Sequence, residues 1–183
     1  MNFIPTKLEG CYILEPKIFT DDRGYFLESF NKNIFENGIC QSINFVQDNQ
    51  SFSTRGVLRG LHYQTGKHAQ AKLVRVLQGE VLDVAVDIRP GSETFGQYES
   101  VLLTAENQRQ FFVPRGFAHG FLVVSETATF FYKCDNFYNK ESEGGLMYND
   151  LNLNIDWQFP TENLLISEKD KVLPTLENAR KIW

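Results

Sequence analysis

The sequence predicts an all-β fold, a jelly-roll sandwich or barrel carrying a few short peripheral helices. Three observations point there. At least eight short segments with alternating apolar residues recur at even spacing, punctuated by Gly and Pro turns. Aromatic residues make up 14% of the chain, with sixteen Phe and seven Tyr, a composition that favours pleated structure. Helical periodicity is scarce, and no internal repeat, low-complexity tract or linker divides the 183 residues, so one domain over residues 1–183 is expected.

In chain order, Cys11–Phe19 reads as a strand, closed by the turn formers of Thr20–Gly24, and Tyr25–Phe30 alternates as the next. Asn31 can cap a short helix through Ile34 and Phe35, with Gly38 as its stop. Asn44–Ser53 alternates polar and apolar residues. Lys72–Leu77 and Val81–Ile88 form the clearest hairpin of the sequence, joined at Gln78-Gly79. In its second strand Leu82, Val84, Val86 and Ile88 share one face, and Val81, Asp83, Ala85 and Asp87 the other. Two aspartates on one face are costly in a dry core, so that face is expected to meet water or a polar cavity. Strands follow at Tyr98–Leu103, Gln110–Val113, Phe117–Val124 and Ala128–Asp135. In the tail Asn149–Trp157 is loop-like, Ser167 caps a helical turn toward Asp170, and a short closing helix is expected after Pro174.

Charge narrows the ligand classes. The formal net charge is −5, which disfavours nucleic acid, yet no Asp or Glu occurs from Asn49 to Gly79. That window holds Arg55, Arg59, Lys67, Lys72 and Arg75 with His62 and His68, and centres on Arg55–Gln64. A positive island in an acidic chain suits an anionic ligand; a basic edge strand is the alternative. Three separated cysteines, Cys11, Cys40 and Cys134, form neither a disulfide framework nor a zinc motif, and fit a reducing compartment. With no secretory leader and no apolar run of membrane length, the expected location is the cytoplasm.

Several residues can carry chemistry. His62, in that window, is a candidate general base, because an imidazole can exchange a proton near neutral pH, and a base needs an acceptor on its other ring nitrogen, which Asp83 or Asp170 can provide. His119 shares parity with Phe117 and Phe121, an aromatic wall carrying one imidazole, or a core histidine. Tyr132 shares parity with Phe130 and Cys134, which makes it a core tyrosine or a proton donor in a pocket. A metal centre is poorly supplied by three histidines without a His-x-His pair, and no glycine-rich phosphate loop occurs.

The motifs Asp21–Glu28, Val46–Ser51, Gly56–Gln64, Gln70–Lys72, Gly79–Arg89, Thr94–Gly96, Pro114–Phe121, Tyr132-Lys133, Asn149-Asp150, Ile155–Trp157 and Ser167–Asp170 together resemble the dTDP-4-dehydrorhamnose 3,5-epimerases, enzymes of the cupin fold, over nearly the whole chain. Leu151 and Gln158 depart from it where proline is usual. The resemblance implies a cupin-type jelly roll without cofactor or metal, acting on a dTDP-linked 4-keto-6-deoxy sugar as a homodimer with shared active sites. It puts the base on His62 with Asp170 as partner, the proton donor on Tyr132 and a lysine beside the sugar carbonyl on Lys72. Arg59 and His119 complete the pocket. Nucleotide and phosphate contacts fall on Arg23, Glu28, Gln47, Asn49, Glu143 and Lys169, with Arg23 and Glu28 reaching the neighbouring subunit's site. The chemistry has a reason: a ketone at C4 acidifies the hydrogens at C3 and C5, and an acid-free site favours both the resulting enolate and a diphosphate. Single-centre epimerases, ketoisomerases, metal-dependent cupin enzymes and non-catalytic sugar-binding jelly rolls are the competing classes.

Overall fold

A computed structural model describes residues 1–183. In chain order the strands are β1 (Asn2–Pro5), β2 (Tyr12–Glu15), β3 (Ile18–Asp21), β4 (Gly24–Leu27), β5 (Gln47–Thr54), β6 (Val57–Gln64), β7 (Lys72–Gln78), β8 (Glu80–Asp87), β9 (Tyr98–Thr104), β10 (Gln110–Val113), β11 (Phe117–Val123), β12 (Thr127–Cys134), β13 (Glu143–Gly145) and β14 (Leu165–Ile166). The helices are α1 (Lys32–Ile39) and α2 (Glu168–Lys171). One sheet runs β1-β2-β10-β7-β12-β5 and the other β13-β6-β11-β8-β9, with β14 beside β6; β3 and β4 form a separate ribbon. The two main sheets make the cupin-like β-sandwich that the sequence predicts.

Apolar side chains fill three layers. Between the sheets, Val74, Val76, Val81, Ala85, Phe111, Phe121 and Phe130 form the central core. The outer face of the second sheet is covered by the tail through Leu146, Leu153, Trp157 and Ile182 against Leu82, Val84 and Val86. The outer face of the first is covered by α1, whose Phe35 and Ile39, four residues apart, lie on Leu14, Leu73 and Phe112.

Five expectations change. β7 and β8 are not a hairpin: β7 pairs with β10 and β12, β8 with β11 and β9. Gly79 turns the chain from one sheet to the other at φ 76, where a Cβ would meet Thr127 O at 2.0 Å. Alternation shows which residues share a face but not which strand lies alongside. Cys11–Phe19 is two strands in different sheets, because Pro16 interrupts the ladder. Gly38 does not stop α1. It lies within the helix because the Phe3 ring fills the space of its side chain, and Cys40 ends the helix in left-handed conformation at φ 54. The aspartate face of β8 does not meet water: Asp83 and Asp87 are both fully buried. Asp87 is satisfied by Arg89, Ser92 and Thr94, and Asp83 by His119. The closing helix is a single turn of 3-10 type, Leu176–Asn178.

β1, β13 and β14 have no counterpart in the sequence reading; at two to four residues they are too short to alternate. The helix cap at Asn31 and the turn cap at Ser167 form as read, each accepting from the backbone N–H three residues on.

Candidate functional site

The two sheets part at one end around a cavity of about 780 Å³. Its walls differ in chemistry. The β6–β11 wall supplies His62, Arg59 and His119, and the facing wall supplies Lys72 from β7, Tyr132 from β12 and Asn49 and Ser51 from β5. Lys169 and Asp170 of α2 close one side.

The backbone explains how these side chains converge. Arg59 and His62 are three residues apart, so a regular strand would put them on opposite faces. Between them the β6–β11 register slips: His119 pairs with His62, but Phe121 with Arg59. Gly60 and Gly120 meet at the slip, where a Cβ on Gly60 would lie 2.6 Å from Gly120 Cα. The bulge turns both functional side chains inward. On β5 the inward parity is polar, Gln47, Asn49, Ser51 and Ser53, while Phe52 points out to solvent. That reversed alternation is a sequence signal for a cavity-lining strand. Ser53, not among the expected residues, accepts from Arg59 Nε and a terminal guanidinium nitrogen at 3.1 and 3.0 Å and aims the guanidinium.

His62 Nε2 lies 2.7 Å from Asp170 Oδ1, which decides between the two aspartates the sequence left open. Asp170 is buried and is fixed from two other directions. Its Oδ2 accepts Gly60 N–H at 3.2 Å, and its own N–H donates to Ser167 Oγ at 3.1 Å. Burial raises its pKa, but the His62 hydrogen bond and charge, the Gly60 amide and Lys169 together bring it below the ordinary carboxylate value. Asp83 pairs instead with His119, at 2.9 Å.

On the facing wall Lys72 has no carboxylate within salt-bridge reach and no hydrogen bond, an ammonium 5.9 Å from the Tyr132 ring centroid. Burial lowers its pKa, against the opposing charges of Cys134 and Asp83. The Tyr132 hydroxyl also lacks a partner, and burial raises its pKa, with Cys134 adding to the rise and Arg59 opposing it. The only fully enclosed side-chain oxygen or nitrogen without a partner is Gln108 Oε1. The free Lys72 ammonium and Tyr132 hydroxyl therefore open on the cavity rather than being sealed in protein.

A second arm of about 300 Å³ shares Asn49, His62, Lys72 and Tyr132 and adds Gln47, Tyr138 and Glu143. Glu143 bonds Lys169 at 2.5 Å and Tyr138 at 3.4 Å. Tyr138 went unnoticed in the sequence; nothing in its local pattern marks it. Arg23 and Glu28 are not brought to this cavity. Arg23 lies on the β3–β4 ribbon paired only with Asp21, its side chain 89% exposed, and Glu28 accepts from Asn31. No three His, Cys, Asp or Glu side chains converge as metal ligands, and no helix is long and apolar enough to cross a membrane.

Comparison with known proteins agrees with this geometry. The family model for dTDP-4-dehydrorhamnose 3,5-epimerase matches residues 5–178. The chain is 52% identical over 182 residues to the enzyme of that name from Escherichia coli, covering 100% of this chain and 98% of the relative. The crystal structure of the Elizabethkingia anophelis enzyme superposes with a TM-score of 0.95 at 56% identity, covering 100% of this chain and 99% of that one. The Legionella pneumophila enzyme, in complex with dTDP-4-keto-L-rhamnose, superposes at 0.93 with 51% identity over 97% and 93% of the two chains.

Proposed function

The chain belongs to the dTDP-4-dehydrorhamnose 3,5-epimerase family, and on that premise we propose that it inverts C3 and C5 of dTDP-4-dehydro-6-deoxy-D-glucose in dTDP-L-rhamnose biosynthesis, through an enolate. The observation that carries the reading is a histidine–aspartate pair on one sheet facing an unpaired ammonium and an unpaired phenol on the other.

His62 keeps Nε2–H on Asp170, so its Nδ1 lone pair is free to take the C3 or C5 proton. Asp170 is a positioning residue, fixing the tautomer and stabilising the imidazolium that forms. The electron pair left on carbon moves to the C4 oxygen, where Lys72 and Arg59 stabilise the negative charge; Lys72 is suited to this because no protein carboxylate already neutralises it. Tyr132, held as a phenol by burial, returns a proton from the opposite wall and so inverts the centre. Electrons are neither gained nor lost, so no redox cofactor is needed. Gln47, Asn49, Glu143 and Lys169 line the route for the nucleotide diphosphate, with His119 at the sugar end.

A homodimer completes the reading. A two-stranded ribbon is marginal alone, yet β3–β4 projects with Tyr25 and Phe26 at 63% and 68% exposure, beside Arg23. Docking this ribbon on a second copy covers the apolar rings and delivers Arg23 and Glu28 to the other copy's site. The setting is cytoplasmic, supported by three unpaired thiols, and the chain acts as one domain.

Proton NMR of the substrate in deuterated water tests this. The wild type should wash out the C3 and C5 signals, and His62→Ala should leave both. Exchange at one carbon only would make the protein a single-centre epimerase. Tight binding without exchange would overturn the enzymatic reading.

A further inference from the structure

A second imidazole faces the cavity with a carboxylate partner of its own. His119 on β11 is the cross-strand partner of His62 on β6. Its Nε2 lies 2.9 and 3.0 Å from the two oxygens of Asp83, a fully buried residue with no other hydrogen-bond partner. Burial holds the His119 pKa below its ordinary value against the attraction of Asp83, and the Lys72 and His62 charges push the same way as burial. The ring is therefore neutral, with its single proton on Nε2 and directed at Asp83. Its Nδ1 has a lone pair and no protein donor. Because Gln108 Oε1 is the only enclosed polar side-chain atom lacking a partner, this Nδ1 is not sealed in; it opens on the cavity His119 lines.

We propose that Asp83 locks His119 as a hydrogen-bond acceptor, and that Nδ1 of His119 receives a hydroxyl of the substrate's sugar ring. This inference rests on the nucleotide-sugar reading above. The assignment follows from donor and acceptor chemistry. Lys72 and Arg59 can only donate, and phosphates and a ketone can only accept. The groups of the substrate that can donate close to the reacting carbons are the sugar's own hydroxyls. His119 lies across the strand pair from the base, so it addresses that same end of the ligand. Asp83 is a positioning residue here, acting through His119, and the pair distinguishes a sugar-bearing nucleotide from the nucleotide alone.

The test uses the full chain with two ligands, dTDP and dTDP-glucose, the second lacking the ketone and so unable to enolise. In ¹⁵N NMR of the wild type, His119 should show a protonated Nε2 and a bare Nδ1, and the Nδ1 resonance should move with dTDP-glucose but not with dTDP. In Asp83→Leu no acceptor faces Nε2, so nothing holds the proton there and Nδ1 is no longer locked as the acceptor. Affinity for dTDP-glucose should then fall about 10-fold while that for dTDP holds, since one hydrogen bond is at stake. His119→Gln, whose amide can still donate to Asp83, should show the same selective loss. Equal weakening of both ligands, a protonated wild-type Nδ1, or an Nδ1 indifferent to the sugar would overturn the proposal and leave the epimerase reading intact. Failure of the wild type to bind dTDP would overturn both.

Discussion

Two histidines stand side by side on the same sheet, each paired with an aspartate, and the pairs differ mainly in burial. The His62 side chain is 33% exposed and its Asp170 partner belongs to a short turn near the chain's end; the His119 side chain is 6% exposed and its Asp83 partner lies inside a central strand. Both rings offer Nε2 to a carboxylate and keep Nδ1 for the cavity. On the proposed reading, water access separates their tasks. A ring that must take a proton needs surroundings that tolerate the imidazolium, and partial exposure provides them. A ring with only its Nδ1 edge open, beside a buried carboxylate and near the Lys72 ammonium, is held neutral, which suits it to recognition rather than to proton uptake. In this proposal one pairing serves two ends, set by depth.

The same substitution at both rings puts this comparison under the most strain. Glutamine keeps an N–H donor near the position of Nε2 and deletes the Nδ1 lone pair. His62→Gln should lower kcat by about 10²–10⁴-fold, the usual worth of a general base. His119→Gln should lower it by no more than about tenfold, the effect appearing in KM. Comparable losses in kcat would show that depth does not divide the roles. Next in size is the bulge that turns Arg59 and His62 to the same side of β6. Gly60 has φ 130 and abuts Gly120, so Gly60→Ala should cost about 1–3 kcal/mol in backbone strain alone, read as a lower urea midpoint. An unchanged midpoint would mean that the close approach is not needed.

The smallest expected effect concerns the facing wall. Burial puts the folded-state pKa of Lys72 below that of a lysine in the unfolded chain. Between the two values the unfolded chain binds more protons, so stability rises with pH across that alkaline window. At neutral pH, below both, the charge costs folding free energy in full. Lys72→Met should therefore be more stable by about 1 kcal/mol at neutral pH, with the gain shrinking as pH rises, while activity collapses. Loss of stability in thermal melts would contradict the reading of Lys72 as an unpaired, function-specific charge.

Much of this was legible in the sequence. Alternation located β5 and β7 to β12, the acid-free window marked β6 without showing it as an interior strand, and shared parity put His119 among Phe117 and Phe121 and Tyr132 beside Phe130. What alternation cannot convey is which strands are neighbours, so the Gln78-Gly79 corner looked like a hairpin although it joins two sheets. Nor can it register a bulge. In a regular strand Arg59 and His62 diverge, and only the paired glycines at 60 and 120 hint at the slip. The choice between Asp83 and Asp170 was beyond local pattern because both pairings are long-range contacts; each aspartate turned out to have a histidine of its own.

The central claim is that base and acid act from opposite walls. Tyr132→Phe, followed by NMR in deuterated water, tests it most directly, because it removes the acid and leaves the base. The C3 and C5 protons should still exchange for deuterium at a substantial rate while inverted product falls by about 10²-fold or more. Inverted product at the wild-type rate, or loss of exchange as deep as in His62→Gln, would contradict the two-wall account.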